Sequence, residues 1–274
     1  MDSKTATIKE LATKAKDISQ RARIDILRMT HKTRASHVGS GMSVIDILAT
    51  TFVYKYHKLE TYQTEILLSK GHAAAALYAV LHELNLLNGI PLDRYCEDDS
   101  KIYGHVNHLA SPEIPLSTGS LGHGMPFALG MALASRLKES PGRTFVILSD
   151  GECNEGTTWE SALVANQFKL NNLVVIIDRN RIQSLGMTEE TISLEPLEEK
   201  WKSFGWKTVV IDGHDHSAIL EALETETAAP LCIIAETIKG KGVTFMENSV
   251  LWHYKSPSSE ELTDAIEQIR KDSK

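Results

Sequence analysis

The sequence predicts an α/β fold: a doubly wound, mainly parallel sheet flanked by helices. Beyond about residue 60, short segments rich in Val, Ile and Leu alternate with longer helix-compatible segments. The short segments are apolar on both faces, as strands covered on both sides must be. The unusual polar residues fall where a strand gives way to a helix, which is the end of such a sheet that binds ligands.

The first element is an amphipathic helix. Leu11, Ala15, Ile18, Ala22, Ile26 and Met29 recur at steps of three or four with Lys, Asp and Arg between them, and the Ala-rich face suits close packing on another helix. Strands are expected at Glu65–Ser69, Thr144–Ser149, Leu173–Asp178, Lys207–Ile211 and Leu231–Glu236. Helices are expected at His72–Leu86, Leu121–Leu137, Thr157–Lys169, Leu194–Phe204 and Ser217–Thr227. Ser258, three residues before Glu261, starts a short polar helix with a capping box. Nothing marks a second domain, so one domain over 1–274 is expected: N-terminal helices in 1–60, the α/β core in 61–245 and a tail in 246–274.

Composition narrows the function. A chain of 274 residues, 42% hydrophobic, can bury one sizeable core. With 29 Lys and Arg against 36 Asp and Glu, the net charge of −7 and the lack of a basic patch argue against nucleic-acid binding. Met1 to Glu10 lacks an apolar signal core, and stretches such as Leu173 to Ile177 are far shorter than the roughly 20 residues of a membrane helix. Cys96, Cys153 and Cys232 form no CxxC pair. A soluble cytoplasmic protein is expected, with no membrane partner.

Four junctions carry the chemistry: Ser69-Lys70-Gly71-His72, Ser149-Asp150-Gly151-Glu152, Asp178-Arg179-Asn180-Arg181-Ile182 and Glu236-Thr237-Ile238-Lys239-Gly240-Lys241-Gly242. Asp150 and Asn180 lie at or just past the C-terminal ends of predicted neighbouring strands one βα unit apart, so a carboxylate and an amide oxygen could share one hard cation such as Mg²⁺, which completes its shell with phosphate oxygens. Gly151 would let the chain approach those phosphates, and the next helix would point its N–H groups at them. On the bland alternative, Asp150 caps a helix and Asn180 makes a turn.

The wider pattern resembles the transketolase family. Asp150-Gly151-Glu152 followed by Asn180 is similar to the thiamine diphosphate signature, with Ser149 where the family usually has Gly. Glu155-Gly156, Trp159-Glu160 and Asp178-Arg179-Asn180-Arg181-Ile182 extend the likeness. Ser36-His37-Val38-Gly39-Ser40, Leu68-Ser69-Lys70-Gly71-His72-Ala73, Gly104-His105, the loop Ser117 to Gly124, Ile238 to Val243 and Trp252-His253 follow in family order. Val106 and Tyr254 depart from it, standing where the family has Pro and Gly. The likeness runs from about residue 10 to residue 258.

The resemblance implies thiamine diphosphate and Mg²⁺ as cofactors, with Ca²⁺ or Mn²⁺ as substitutes. Asp150, Asn180 and the Ile182 carbonyl would hold the metal. His72, Gly151 and Lys239 would contact the diphosphate region, with Glu152 and the Gly119, Ser120 and Leu121 backbone around the cofactor and Lys70 beside them. His37, His105 and His253 would face the sugar, and His37 and His253 also border the cofactor; His108 is an alternative to His105. The resemblance covers only the diphosphate-binding part of a transketolase. It therefore implies a C-terminal partner subunit with the pyrimidine-binding domain, whose activating glutamate Glu155 would contact. A heterotetramer of two of each chain would act on sugar phosphates, moving a two-carbon ketol unit from a ketose to an aldose. Three other readings compete: a 2-oxo acid dehydrogenase component, a non-catalytic paralogue, and a zinc hydrolase built from His105, His108, His214 and His216. His31, His57, His82 and Cys153 read as structural, and His123 as a loop or interface residue.

Overall fold

The computed structural model describes residues 7–59, 64–140 and 142–272, so residues 1–6 of the polar start fall outside it. Helix α1 (Ile8–Thr33) begins at a capping box between Thr7 and Glu10 and ends at Arg34 in the left-handed region. The predicted stripe Leu11, Ala15, Ile18, Ala22, Ile26 and Met29 is buried. Helix α2 (Val38–Lys58) is buried continuously from Val38 to Tyr54, an all-round burial that its apolar sequence permits.

The core elements then follow in order: β1 (Glu65–Leu68), α3 (Ala74–Glu83), α4 (Gly124–Leu137), β2 (Thr144–Ser149), α5 (Gly156–Gln167) and β3 (Leu173–Arg179). After them come α6 (Thr188–Thr191), α7 (Leu197–Ser203), β4 (Lys207–Asp212), α8 (His216–Leu223), β5 (Leu231–Glu236) and α9 (Ser259–Asp272). All five expected strands are present to within a residue or two. The helices are shorter than expected. The one expected from His72 starts at Ala74 after a 3-10 turn over Gly71–Ala73, the one expected from Leu121 starts at Gly124, and the one expected from Leu194 starts at Leu197, after Pro196. Ser258 and Glu261 form the expected capping box, with Ser258 N–H donating at 2.8 Å and Glu261 N–H donating back at 3.2 Å.

The five strands form one parallel sheet in the order β1-β2-β3-β5-β4. Alternate strand residues enter two separate cores. Phe145, Ile147, Val174, Ile176, Ile233 and Ala235 pack with α1, α2, α3, α8 and α9. Val146, Leu148, Val175, Ile177, Cys232 and Ile234 pack with α4, α5 and α7. The central strands therefore need apolar residues at every position. Strand β4 does not fit the expectation of two apolar faces: it is the sheet edge, and Val210 is 44% exposed.

Close packing brings α4 onto the end of β1. A Cβ on Gly124 would stand 2.5 Å from the Ser69 Cβ and 2.9 Å from its Cα, well inside contact distance. Gly124→Ala should therefore lower unfolding free energy by about 1–3 kcal/mol, the usual overpacking range. Urea denaturation read by circular dichroism checks this, and an unchanged midpoint would show that the contact is not tight.

Candidate active site

Strands β2 and β3 pair in register with Ser149 opposite Asp178, so the turns after them emerge side by side. Asp150 follows β2 and Asn180 follows β3, and both are buried. They share a cleft of about 360 Å³ with Gly151, Ile182, Gly119 and Leu121. His37, Lys70, His72, His105 and His253 line the same cleft, and the exposed Glu155 stands on its wall.

The acceptors are held from the backbone. The Arg181 N–H donates to Asp150 Oδ2 at 2.7 Å, and the Ile182 N–H donates to Asn180 Oδ1 at 3.1 Å. Consecutive amides thus orient the two side-chain oxygens. The Gly151 N–H bonds Asp150 Oδ1 at 2.8 Å, and that oxygen retains a second lone pair. Burial pushes the Asp150 carboxyl up, opposed mainly by the Arg179 guanidinium 3.2 Å away. Arg179 in turn bonds Glu189 at 2.6 Å and Glu195 at 2.9 Å.

Cations face these acceptors. Lys239 is 1% exposed, and its ammonium donates to the Ile182 and Gln183 carbonyls, each at 3.2 Å, and to His253 Nδ1 at 2.9 Å. Burial and then Lys70 lower its pKa to about 8, against the pull of Asp150 and Asp178. The Ile182 carbonyl is therefore already a cation acceptor, which fits a site for positive charge. Carboxylate, amide oxygen and backbone carbonyl together form the all-oxygen donor set that a hard divalent ion prefers.

Three histidines cluster around His37. Its ring centroid lies 5.0 Å from His253, 5.4 Å from His72 and 5.8 Å from His105. His37 has φ +73°, and its N–H donates to the His253 carbonyl at 2.7 Å, so an uncommon backbone conformation joins two segments distant in sequence. Burial, reinforced by neighbouring His105 and Lys239, lowers His37 to about 4. Burial and Lys239 lower His253 to about 3. His72 is held well below the usual range, first by burial and then by Lys70.

The other candidate residues are placed less directly at the cleft. Glu152 does not line the cleft: it is fully buried, and accepts from Ser69 Oγ at 2.5 Å, Gly122 N at 3.0 Å and Ser149 N at 2.9 Å. It braces the loop Ser117 to Gly124 against the β2 turn. Ser120 is exposed and off the cleft lining, unlike Gly119 and Leu121. Lys239 lies behind the lining and reaches it through the Ile182 and Gln183 carbonyls. Lys70 lines the cleft, but its ammonium pairs with Asp178, and both side chains are 0% exposed. A Cβ on Gly151 would meet only the Gln183 side chain at 3.5 Å, and Gly151 has no positive φ. His108 points elsewhere, with Nδ1 2.8 Å from Ser117 Oγ, whereas His105 lines the cleft. His214 and His216 border a different cavity, so the four histidines of the zinc reading do not meet.

Asp178 opens one of the junction motifs, yet the sequence alone assigns it no role of its own. Its carboxyl accepts from Lys70, from Ser43 Oγ at 2.7 Å and from Thr237 Oγ1. An acid ending an otherwise apolar strand was the available signal.

Residues 14–271 match the family described as transketolase, thiamine diphosphate binding domain. An apulose-4-phosphate transketolase subunit from Phocaeicola vulgatus is 34% identical over 259 residues, covering 92% of each chain. The 6-deoxy-6-sulfo-D-fructose transketolase subunit SqwG of a Clostridium species is 34% identical over 250 residues, 88% of this chain and 90% of that one. The crystal structure of transketolase from Campylobacter jejuni superposes with a TM-score of 0.82 at 26% identity over 95% of this chain, which spans 43% of that longer chain. Fold and cleft together define an α/β domain of the thiamine diphosphate-binding class. The chain belongs to the transketolase family, as its N-terminal, thiamine diphosphate-binding part.

Because burial opposes their protonation, His37 and His253 should stay neutral through the ordinary histidine range. Their imidazole ¹⁵N shifts should remain those of neutral rings from pH 7 down to pH about 5. A midpoint near 6.5 for either would contradict the cleft electrostatics.

Proposed function

We propose that this chain is the diphosphate-binding subunit of a two-part transketolase. With a partner chain bearing a pyrimidine-binding domain, it transfers a two-carbon ketol unit from a ketose phosphate to an aldose, using thiamine diphosphate and Mg²⁺. The observation that carries this is the meeting of Asp150 and Asn180 in one cleft at the ends of paired parallel strands. Subunit-sized relatives named as transketolase subunits support a split enzyme, and residues 1–274 then act as one functional domain.

In this reading Asp150, Asn180 and the Ile182 carbonyl hold the metal, with Ca²⁺ or Mn²⁺ able to replace Mg²⁺. Lys239 and His72 neutralise the diphosphate, and Gly151, Gly119 and Leu121 give it room. Ser120 contributes through its backbone, and Glu152 by bracing that loop. Lys70 contributes its charge while paired to Asp178. Thiamine diphosphate, when bound, supplies the electron sink for breaking a carbon–carbon bond next to a carbonyl. His37, His105 and His253 orient the sugar hydroxyls and move their protons, and a neutral imidazole can accept one. Lys239 donates to His253 Nδ1, which leaves the His253 proton on Nε2, free to face substrate. Glu155 meets the partner's activating carboxylate.

The two relatives are named for a phosphorylated and a sulfonated sugar, so a ketose with a terminal anion is the proposed donor class. The assembly is proposed as a cytoplasmic heterotetramer, two of each subunit. Among the described residues, no helix is long and apolar enough to cross a membrane.

Two outcomes test the proposal. Asp150→Ala should abolish Mg²⁺-dependent thiamine diphosphate binding in calorimetry; retained tight binding would remove Asp150 from the metal site. The purified chain alone should transfer no ketol unit, and activity should appear on adding the pyrimidine-domain subunit. Full activity of the chain alone would refute the split.

A further inference from the structure

A second polar cluster lies outside the cleft, where α1, α2 and the turn between β4 and α8 converge. At its centre Asp46 is 2% exposed. Its carboxylate accepts from both terminal guanidinium nitrogens of Arg23, one at 3.0 Å, and lies 2.8 Å from His214 Nδ1 and 3.2 Å from His216 Nε2. Burial opposes ionisation of Asp46, but Arg23 and the two imidazoles outweigh it and hold the carboxyl well below its usual range.

His214 does more than complete this cluster. Its Nε2 lies 2.8 Å from the Ile238 backbone nitrogen. A backbone amide can only donate, so Nε2 carries the lone pair and the proton sits on Nδ1, directed at Asp46. Ile238 lies two residues past the end of β5, where the sheet ladder no longer supplies an acceptor for its N–H. The next residue is Lys239, whose ammonium reaches the Ile182 and Gln183 carbonyls and His253.

The turn carrying His214 is itself fixed to β5. The Gly213 N–H donates to the Glu236 carbonyl at 2.8 Å, and the His214 N–H to Asp212 Oδ1 at 2.8 Å. A Cβ on Gly213 would stand 2.4 Å from the Thr237 Cγ2, an approach only glycine permits. The imidazole thus reaches Ile238 from a rigid base. Asp46 orients it from behind, as a carboxylate orients a histidine that serves a third group.

We infer that His214 is a positioning residue: held by Asp46, it anchors the Ile238 N–H and so sets the reach of Lys239 into the cofactor cleft. This rests on the proposed role of Lys239 at the diphosphate. A merely structural His214 would change stability and leave cofactor affinity alone once the chain is folded. A positioning His214 must act through Lys239.

A double-mutant cycle separates the two. Thiamine diphosphate with Mg²⁺ is titrated calorimetrically into the full chain in the presence of its partner subunit. His214→Asn keeps a donor for Asp46 but withdraws the acceptor from Ile238, and should weaken binding about five- to tenfold, the effect of one lost buried hydrogen bond. His214→Gln, whose longer amide can still accept from Ile238, should stay within about twofold. In a Lys239→Ala background, His214→Asn should cost nothing further. Circular dichroism confirms folding; if the Asn variant does not fold, His214→Leu is carried through the same cycle with the same expectation. An equal loss in both backgrounds, or unchanged affinity in the single variant, overturns the inference while leaving the role of Lys239 intact. If Lys239→Ala itself binds like the parent, that role falls and the inference falls with it.

Discussion

The buried ion pair between Lys70 and Asp178 is the constraint on which the cleft depends. Both side chains are wholly shielded from water. Removing two charges from water is costly, and their attraction offsets that cost only where further hydrogen bonds satisfy them. Here Asp178 also accepts from Ser43 on α2 and Thr237 after β5, and Asn180 Nδ2 approaches it at 3.5 Å. One carboxylate thereby ties together the ends of β1, β3 and β5 and the start of α2. Loss of either partner would leave an uncompensated buried charge, a defect of about 3–5 kcal/mol. Burial opposes ionisation of Asp178, yet Lys70 and the hydroxyl donors hold it below the usual carboxylate range.

The same low-polarity setting explains the division of charge in the cleft. Asp150, the carboxylate proposed to meet a cation, is buried just past a strand end, while His37, His72 and His253 are kept neutral by burial and by Lys70 and Lys239. Positive charge beside the histidines sits on Lys70 and Lys239 and does not spread over the imidazoles. In the proposed reading an incoming anion would meet the lysines, and the neutral histidines would keep lone pairs for proton transfer at neutral pH.

The sheet was legible because central parallel strands leave an unambiguous pattern: Thr144–Ser149 and Leu173–Asp178 carry apolar residues for two cores at once. Strand β4 was legible in position but not in exposure, since edge status is set by the strand order and not by its own residues. Helix starts were less legible where a 3-10 turn, as at Gly71–Ala73, absorbs residues that look helical. In the site, Asp150, Asn180 and His72 stand at junctions legible from the strand pattern, whereas His37, His105 and His253 come only from the family resemblance. Glu152, which the resemblance sets around the cofactor, lies behind the cleft lining because two of its three donors, Ser69 and Gly122, come from segments far apart in sequence. Asp46 and His214 went unconnected because they stand 168 residues apart and meet only in the fold.

Short motifs, each weak alone, gain meaning from such cross-links. Glu152 joins the Ser69 segment to the Gly122 loop and to its own turn, and Asp178 joins the Ser43, Lys70 and Thr237 segments. A backbone bond joins His37 to His253, and another joins Gly240 N to the Gly39 carbonyl at 3.0 Å. A substitution in one motif would therefore be felt in the geometry of the others, because buried polar networks tolerate no unmatched member. Four of the motifs are junctions that reach one edge of the sheet, the one formed by the C-terminal ends of β1, β2, β3 and β5. Their shared chemistry arises because that edge is where backbone polarity, helix starts and buried carboxylates converge.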